Sequence, residues 1–276
     1  MKKAILVISF GSSHIDAVRN SIEKIENKIK NEFKDFDVYR AFTAHRIIKK
    51  IEERDNIHIN TPEEAFDQLY AKEYEQVIVL PLHIIPGEEY DYIKGITRRN
   101  MDRFADLRLA RPILYYCGNE GVPNDYALFI ESIKDVFEDE ESVVLFGHGT
   151  YHHANSVYGM LQTMLQDMDY SNVFVATVEG YPSMESVIQR LKKNNIKKTK
   201  LVPILLVAGD HVKNDMAGDD DDSLKNILER EGIEVKLHMH GLGENDKFAG
   251  LYITRVYDMI EKRYEGIGRT KKLRKK

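Results

Sequence analysis

Apolar runs of strand length alternate along the chain with amphipathic segments of helical length. In the segment 17–33, the apolar residues Ala17, Ile22, Ile25, Ile29 and Phe33 recur at the spacing of one helix face. Strands are predicted at 5–10, 38–44, 76–84, 109–116, 142–147, 172–178, 200–208 and 235–241. Continuous apolar strands that alternate with helices are typical of parallel sheets covered on both faces.

The predicted strands fall into two sets of four with similar motifs. ISFGSS (8–13) resembles LFGHGT (145–150), and VLPLHIIPGEEY (79–90) resembles LVPILLVAGDHV (201–212). We therefore predict an α/β fold of two similar domains, each a four-stranded, mainly parallel sheet flanked by helices, with a cleft between them. The predicted domains are residues 1–124, for substrate contacts, and 125–276, for the metal site. A last helix near 246–263 is predicted to pack back across both.

Metal-capable side chains follow three strands of the second half. His148 follows strand 142–147, Glu179 follows strand 172–178, and His211 follows strand 200–208. In parallel sheets of this kind, ligands bind at the carboxyl ends of the strands. Two imidazoles and a carboxylate suit a first-row divalent ion. We therefore predict a metal site of these three residues, with His148 and Glu179 also catalytic.

The first half lacks the same set of side chains. Its matching positions are Ser12, Ala44 or His45, and Glu89. We therefore predict that the first half supplies substrate contacts. His83 lies within the predicted strand 76–84 and is interpreted as a core histidine whose hydrogen bonds are satisfied.

Composition and charge narrow the functional classes. The net charge is −5 and the isoelectric point about 6.1, which argues against nucleic-acid binding. No apolar run reaches membrane-spanning length, and the N-terminal run lacks a cleavage site, so a cytoplasmic protein is predicted. The single cysteine, Cys117, excludes a disulfide within the chain and is predicted to be packed. The basic tail 268–276 is predicted to be solvated.

Several motifs together resemble one known family. They are ISFGSS, LPLHIIPGEEY, VVLFGHGT, VATVEGYPS and LVAGDHVKNDMAGDDDDS, spread from residue 5 to about residue 245. The chain thereby resembles the anaerobic sirohydrochlorin cobaltochelatases of the CbiK type, in the chelatase superfamily that includes ferrochelatase. The resemblance implies a lyase-class metal chelatase with two lobes. It also implies metal ligation by His148, Glu179 and His211, and insertion of Co²⁺ into sirohydrochlorin or precorrin-2 in anaerobic cobalamin biosynthesis.

The resemblance also defines the expected ligands. Co²⁺ is expected as a substrate metal, with Fe²⁺ or Ni²⁺ as alternatives and no organic cofactor. The expected partner is a sirohydrochlorin-type tetrapyrrole, with neither nucleic acid nor membrane, and a homo-oligomer is left open. Because the tetrapyrrole carries carboxylates, Lys94, Arg98 and Arg99 are further candidates for binding it. The main candidates for substrate contact are Phe10, Gly11, Ser12, Ser13, Arg46, Pro86, Gly87, Glu88 and Glu89.

Two other functions remain open from the sequence. The ligand set also fits a ferrochelatase or a nickel chelatase acting on a related ring, because affinity at N/O sites favours Ni²⁺ over Co²⁺. A carrier that binds a tetrapyrrole or a metal without turnover has the same fold requirements. A ligand set that leaves coordination positions free for exchange favours a chelatase over a carrier.

Overall fold

Two separate parallel sheets form the framework of the protein. The computed structural model describes residues 1–119 and 121–264. The strands are β1 (Lys3–Ser9), β2 (Asp37–Phe42), β3 (Gln76–Pro81), β4 (Asp106–Leu109), β5 (Val143–Gly149), β6 (Val173–Glu179), β7 (Lys198–Pro203) and β8 (Glu234–Leu237). One sheet has the order β2-β1-β3-β4 and the other β6-β5-β7-β8. All the neighbouring strands are parallel, so the prediction of two similar four-stranded sheets is confirmed.

Helices connect successive strands, as parallel pairing requires. A π-helical turn, Val18–Glu23, joins the first helix, Ile15–Ala17, to the second, Lys24–Glu32. The helices are α1 (Ile15–Ala17), α2 (Lys24–Glu32), α3 (His45–Asp55), α4 (Pro62–Ala71), α5 (Glu88–Arg99), α6 (Asp125–Ile133), α7 (Ser156–Asp167), α8 (Met184–Lys193), α9 (Leu224–Arg230) and α10 (Asp246–Ile260).

Each sheet is buried on both faces. A central core joins the two halves and takes side chains from β1, β3, β5 and β7 as well as from α2, α6, α7 and α10. A second cluster covers the other face of the first sheet with α4 and α5. A third covers the other face of the second sheet with α8 and α9. This explains why the strands are apolar at consecutive positions rather than at alternating ones.

Proline ends two of the strands earlier than predicted. β3 stops at Pro81 and β7 at Pro203, whereas the apolar runs continue to residues 84 and 208. Proline has no backbone N–H to donate to the neighbouring strand. The residue after each proline makes one further backbone hydrogen bond to the neighbouring strand. These bonds run from Leu82 N to Ile8 O at 2.7 Å and from Ile204 N to Phe146 O at 2.8 Å. The remaining apolar residues then leave the sheets, and the position of His83 inside a strand is a wrong prediction.

The fourth predicted strand was displaced for the same reason. Residues 109–116 were predicted, whereas β4 covers Asp106–Leu109. Pro112 interrupts the predicted run, and Ala110, Ile113 and Leu114 are buried in an irregular segment of the central core instead. Cys117 follows this segment and is exposed, so the expectation of a packed thiol was also wrong. Burial in this segment comes from packing of the loop rather than from sheet pairing.

Helix α10 packs against elements of the first half. Phe248, Tyr252 and Val256 are fully buried. The hydroxyl of Tyr252 donates to the carbonyl oxygen of Leu82 at 2.8 Å, and the Arg255 guanidinium donates to that of Ile113 at 2.9 Å.

The division of the chain between residues 124 and 125 remains a prediction. The sheets themselves end at Leu109 and begin again at Val143.

Removal of α10 is expected to abolish folding. A chain truncated before Asp246 would expose the apolar surfaces of α2, α6 and β3 that this helix covers. We expect the truncated protein to be insoluble, or soluble without a cooperative thermal transition by circular dichroism. The matched control removes only the basic tail 268–276, which lies outside the described residues, and should retain the parent transition. A folded, soluble protein without α10 would contradict this prediction.

Within residues 1–119 and 121–264, no helix combines the length and the apolar character needed to cross a membrane.

Candidate metal and substrate site

A cavity of about 510 Å³ lies where the carboxyl ends of the two sheets face each other. This volume is within the range of small-molecule sites. Its lining includes the last residue of β6 and residues that follow β1, β3, β5 and β7, as expected for ligand sites of parallel sheets. The apolar part of the lining comes largely from the two segments that leave the sheets after Pro81 and Pro203, namely Leu82, Ile84, Ile85, Ile204, Leu205, Leu206 and Val207.

His148 is the penultimate residue of β5 and is partly buried in the cavity wall. Its Nδ1 lies 3.0 Å from the carbonyl oxygen of Gly149. Because a carbonyl oxygen only accepts, Nδ1 carries the proton and donates it to this bond. The lone pair of the neutral ring is therefore on Nε2, the atom available to bind a metal.

His211 reaches the cavity from a helical turn rather than from the end of a strand. β7 ends at Pro203, and His211 lies just before a π-helical segment, Val212–Met216. Its Nδ1 donates to the Asp215 carboxylate at 2.6 Å, one helical turn further on. A carboxylate that accepts from Nδ1 fixes the tautomer and the orientation of the ring, as in many metal sites. No role was predicted for Asp215, although its spacing of four from His211 indicates such a contact.

The two imidazoles lie face to edge across the cavity wall. The ring centroids of His148 and His211 are 4.4 Å apart, and the ring planes are at 89°. Glu179 ends β6, pairs with Gly149 in the register of the two strands, and lines the same cavity with an exposed side chain. Within the described part of the chain, no three His, Cys, Asp or Glu side chains already form a metal-binding group. The metal site of His148, Glu179 and His211 remains a prediction.

Close packing fixes the loops around His148 and Glu179. Gly149 has φ +81°, and a Cβ there would lie 2.3 Å from the carbonyl oxygen of Glu179. Asn155 joins the two loops, because its side chain accepts from Thr150 N at 3.2 Å and donates to Tyr181 O at 2.7 Å. Glycine at position 149 therefore allows the two strand ends to approach each other.

Most of the predicted substrate contacts line the cavity. Phe10, Gly11, Ser12, Ser13, Gly87, Glu88 and Glu89 belong to the lining, and Arg46 and Pro86 lie outside it. Arg46 is exposed on α3, whereas the next residue, Ile47, faces the cavity, because successive helical positions point about 100° apart. Lys94, Arg98 and Arg99 on α5 also lie outside the lining.

The charge of the cavity differs from the sequence-based expectation. Glu88, Glu89, Glu179 and Asp210 contribute carboxylates, and among the described residues no Lys or Arg belongs to the lining. Such a wall attracts a divalent cation rather than the carboxylates of a tetrapyrrole. The carboxylates of the expected tetrapyrrole therefore have no cationic partner in this wall.

Phenylalanine and tyrosine side chains form part of the cavity lining. Tyr151, which no sequence motif indicated, is 92% exposed and lines the cavity, as does Phe10, which is 52% exposed. Tyr158 is buried, and its hydroxyl accepts from Gly149 N at 3.3 Å. Exposed aromatic rings at a cavity mouth offer stacking surfaces for a flat, apolar ring system.

One contact joins the two halves beside the histidine pair. The Nε2 of His14, from the loop after β1, lies 2.7 Å from the Asp210 carboxylate. The hydrogen bond from His14 lowers the pKa of Asp210. His14 carries no sequence signal for this contact, because its partner lies in the other half of the chain.

A family model matches nearly all of the chain. Residues 3–261 match the model of the family described as Cobalt chelatase (CbiK). The chain belongs to this family. The match covers both sheets, the cavity and α10, so the family is shown for the whole described fold.

Curated relatives cover nearly the same length. The chain is 35% identical over 263 residues to a sirohydrochlorin cobaltochelatase of Salmonella typhimurium, covering 94% of this chain and 97% of that protein. It is 28% identical over 261 residues to the sirohydrochlorin cobaltochelatase CbiKC of Nitratidesulfovibrio vulgaris, covering 92% and 89%. The predicted family is therefore confirmed.

Solved structures share the two-sheet fold. SirB from Bacillus subtilis, determined with Fe³⁺, has a TM-score of 0.60 at 18% identity and covers 96% of this chain and 99% of its own. CbiX, described as the terminal enzyme of siroheme biosynthesis in denitrifying bacteria, has a TM-score of 0.54 at 14% identity, with 95% and 100% coverage. At these identities the likeness concerns the fold.

Proposed function

We propose that this chelatase inserts Co²⁺ into sirohydrochlorin, with His148 and His211 binding the incoming metal. The observation that carries the proposal is the pair of imidazoles 4.4 Å apart, each with its Nδ1 proton donated to a fixed acceptor. Two neutral imidazoles are suited to a borderline divalent ion such as Co²⁺. The relatives of this chain that carry the name sirohydrochlorin cobaltochelatase supply the substrate and the metal.

Glu179 completes the proposed metal site. Its exposed side chain at the end of β6 lines the same cavity and is free to change rotamer. A carboxylate beside two imidazoles also offsets part of the charge of a divalent ion in an apolar cavity. Three protein ligands leave coordination positions free, through which the metal passes to the nitrogens of the ring.

The same residues accept the protons that the ring must lose. As Co²⁺ moves from Nε2 of His148 to the ring nitrogens, the vacated lone pair takes one inner proton, and the Glu179 carboxylate takes the other. A charge of +2 leaves these groups while two protons arrive, so the total charge of the site is unchanged. This exchange avoids the cost of creating a new net charge in the cavity.

We propose that the ring of the substrate lies in the cavity and that its carboxylates stay outside. The apolar lining after Pro81 and Pro203 and the exposed rings of Phe10 and Tyr151 suit the faces of the macrocycle. The acidic wall formed by Glu88, Glu89, Glu179 and Asp210 repels carboxylates and favours their projection into water. Gly11, Ser12 and Ser13 are the first-half loop proposed to contact the ring edge.

Fe²⁺ and Ni²⁺ remain the alternative metals. The imidazole pair accepts either of them, and affinity at N/O sites favours Ni²⁺ over Co²⁺. The proposed cobalt preference therefore depends on the rate of transfer rather than on the affinity of the site. The proposed reaction needs no organic cofactor, and its organic substrate is the tetrapyrrole.

An anaerobic absorbance assay is expected to show catalytic cobalt insertion. Purified protein is mixed with excess sirohydrochlorin and with Co²⁺, Fe²⁺ or Ni²⁺ in turn, and metallation is timed against protein-free controls. We expect Co²⁺ to give many product molecules per protein chain at the highest rate. A single product per chain, or none, would favour a carrier, and a faster reaction with Fe²⁺ or Ni²⁺ would contradict the cobalt assignment.

A further inference from the structure

His83 places an unpaired imidazole in the floor of the cavity. It follows Pro81 by two positions and lines the cavity between Leu82 and Ile84. Both of its ring nitrogens are buried, and neither has a hydrogen-bond partner within the described residues. Buried polar atoms without a partner also occur on Ser9, Ser21, Thr43 and Arg255, and none of these residues lines the cavity.

An unpaired buried imidazole costs free energy that the protein would recover by replacing it with an apolar residue. A buried polar group that lines a cavity can gain its hydrogen-bond partner from a bound ligand. Burial lowers the pKa of His83 to about 4, so the ring is neutral near pH 7. A neutral imidazole keeps one acceptor nitrogen, whereas an imidazolium only donates. The site therefore offers an acceptor to a ligand that carries an N–H group.

We propose that His83 accepts a hydrogen bond from an inner N–H of the metal-free tetrapyrrole and so distinguishes this substrate from the metallated product. The inference rests on the proposed function. The metal-free ring carries inner N–H groups, and metal insertion removes them. The hydrogen bond consequently exists before insertion and is absent afterwards, which favours binding of the substrate and release of the product.

The placement of His83 fits this role. It comes from the first sheet, whereas His148 and His211 come from the second, so the N–H acceptor and the proposed metal ligands stand on different halves of the cavity. A half-turn about Cβ–Cγ exchanges ring nitrogens with ring carbons at nearly constant shape. The imidazole can therefore turn a nitrogen toward an arriving N–H without displacing Leu82 or Ile84.

The test compares the affinity for two rings. Dissociation constants of sirohydrochlorin and of its cobalt complex are measured anaerobically, without free metal, for the parent, His83→Leu and His83→Gln. Leucine fills the space without an acceptor, and glutamine keeps an acceptor. We expect His83→Leu to weaken binding of the metal-free ring by about tenfold, as for one lost hydrogen bond, and to change the cobalt complex less than twofold. His83→Gln should keep most of the parent preference.

Other outcomes overturn the inference. Equal weakening of both rings by His83→Leu would assign His83 to packing, and no weakening would leave it without a substrate contact. The melting temperature gives a second readout, because loss of an unpaired buried polar group should raise it while a structural histidine would lower it. If the parent protein binds sirohydrochlorin and inserts cobalt while the His83→Leu variant keeps the parent preference for the metal-free ring over the cobalt complex, this inference alone is overturned. A parent that does neither overturns the proposed function as well.

Discussion

Alanine at His148 or at His211 is expected to slow cobalt insertion by about 10²–10⁴-fold while the protein remains folded. Each substitution removes one of the two Nε2 lone pairs proposed to bind the metal, and His148 is also the proposed proton acceptor. Both side chains are only partly buried, so their loss leaves no large cavity in the core. The rate is measured by the anaerobic absorbance assay, and folding by circular dichroism. In the same series, Glu179→Gln keeps the side-chain size, removes the charge and should also impair insertion.

His240 provides a matched control for His211. Its Nδ1 lies 2.8 Å from the Glu244 carboxylate four residues later, which repeats the His211–Asp215 arrangement outside the cavity lining. His240→Ala should therefore keep the parent rate. If the variants at His148 and His211 also insert cobalt at nearly that rate, the proposed metal site is wrong. If they lose activity only because they unfold, the two histidines are structural.

Asparagine at Asp125 is expected to destabilise the protein by about 3–5 kcal/mol, as for a broken buried ion pair. Asp125 accepts from Arg111 at 2.9 and 3.0 Å and from Arg255 at 2.9 Å, and Arg111 also donates to Asp258 at 2.7 Å. All four side chains are at most 6% exposed. The variant would leave two buried guanidinium groups with one carboxylate, Asp258.

The four groups connect α6, α10 and the irregular segment after β4, so this variant also tests how the two halves are held together. For a chain of this size, the expected loss corresponds to a fall in melting temperature of roughly 6–20 °C. The control is Glu53→Gln, because Glu53 forms an exposed pair with Lys49 on α3 and its loss should not be measurable. An unchanged melting temperature for Asp125→Asn would show that the buried network contributes no net stability.

The pattern of apolar positions was sufficient to predict where most of the strands lie. The runs beginning near residues 5, 38, 76, 142, 172, 200 and 235 all contain observed strands, because continuous burial in a parallel sheet requires consecutive apolar residues. The ends of strands were less predictable. At Pro81 and Pro203 apolar character continues while sheet pairing stops, since a cavity wall needs apolar side chains as much as a sheet does.

The family, the two similar sheets and the candidate metal ligands could all be predicted from the sequence alone. The family follows from the resemblance of several motifs. The sheets follow from the period of apolar residues, and the candidate ligands from histidine or glutamate after a strand. Even there, the site was predicted from three strand ends, whereas His211 lies eight residues beyond β7 on a helical turn. The route of that loop depends on packing and is not encoded in a short spacing.

Contacts between groups that lie far apart in the chain could be found only in the folded structure. The 4.4 Å separation of His148 and His211 depends on β5 and β7 being neighbours, and the contact of His14 with Asp210 on the two halves facing each other. The lack of a partner for His83 within the described residues likewise depends on everything packed around its ring. A pattern along the chain specifies which face of an element is apolar. It does not specify which residues far apart in sequence will share a cavity, because that depends on strand order, loop path and burial together.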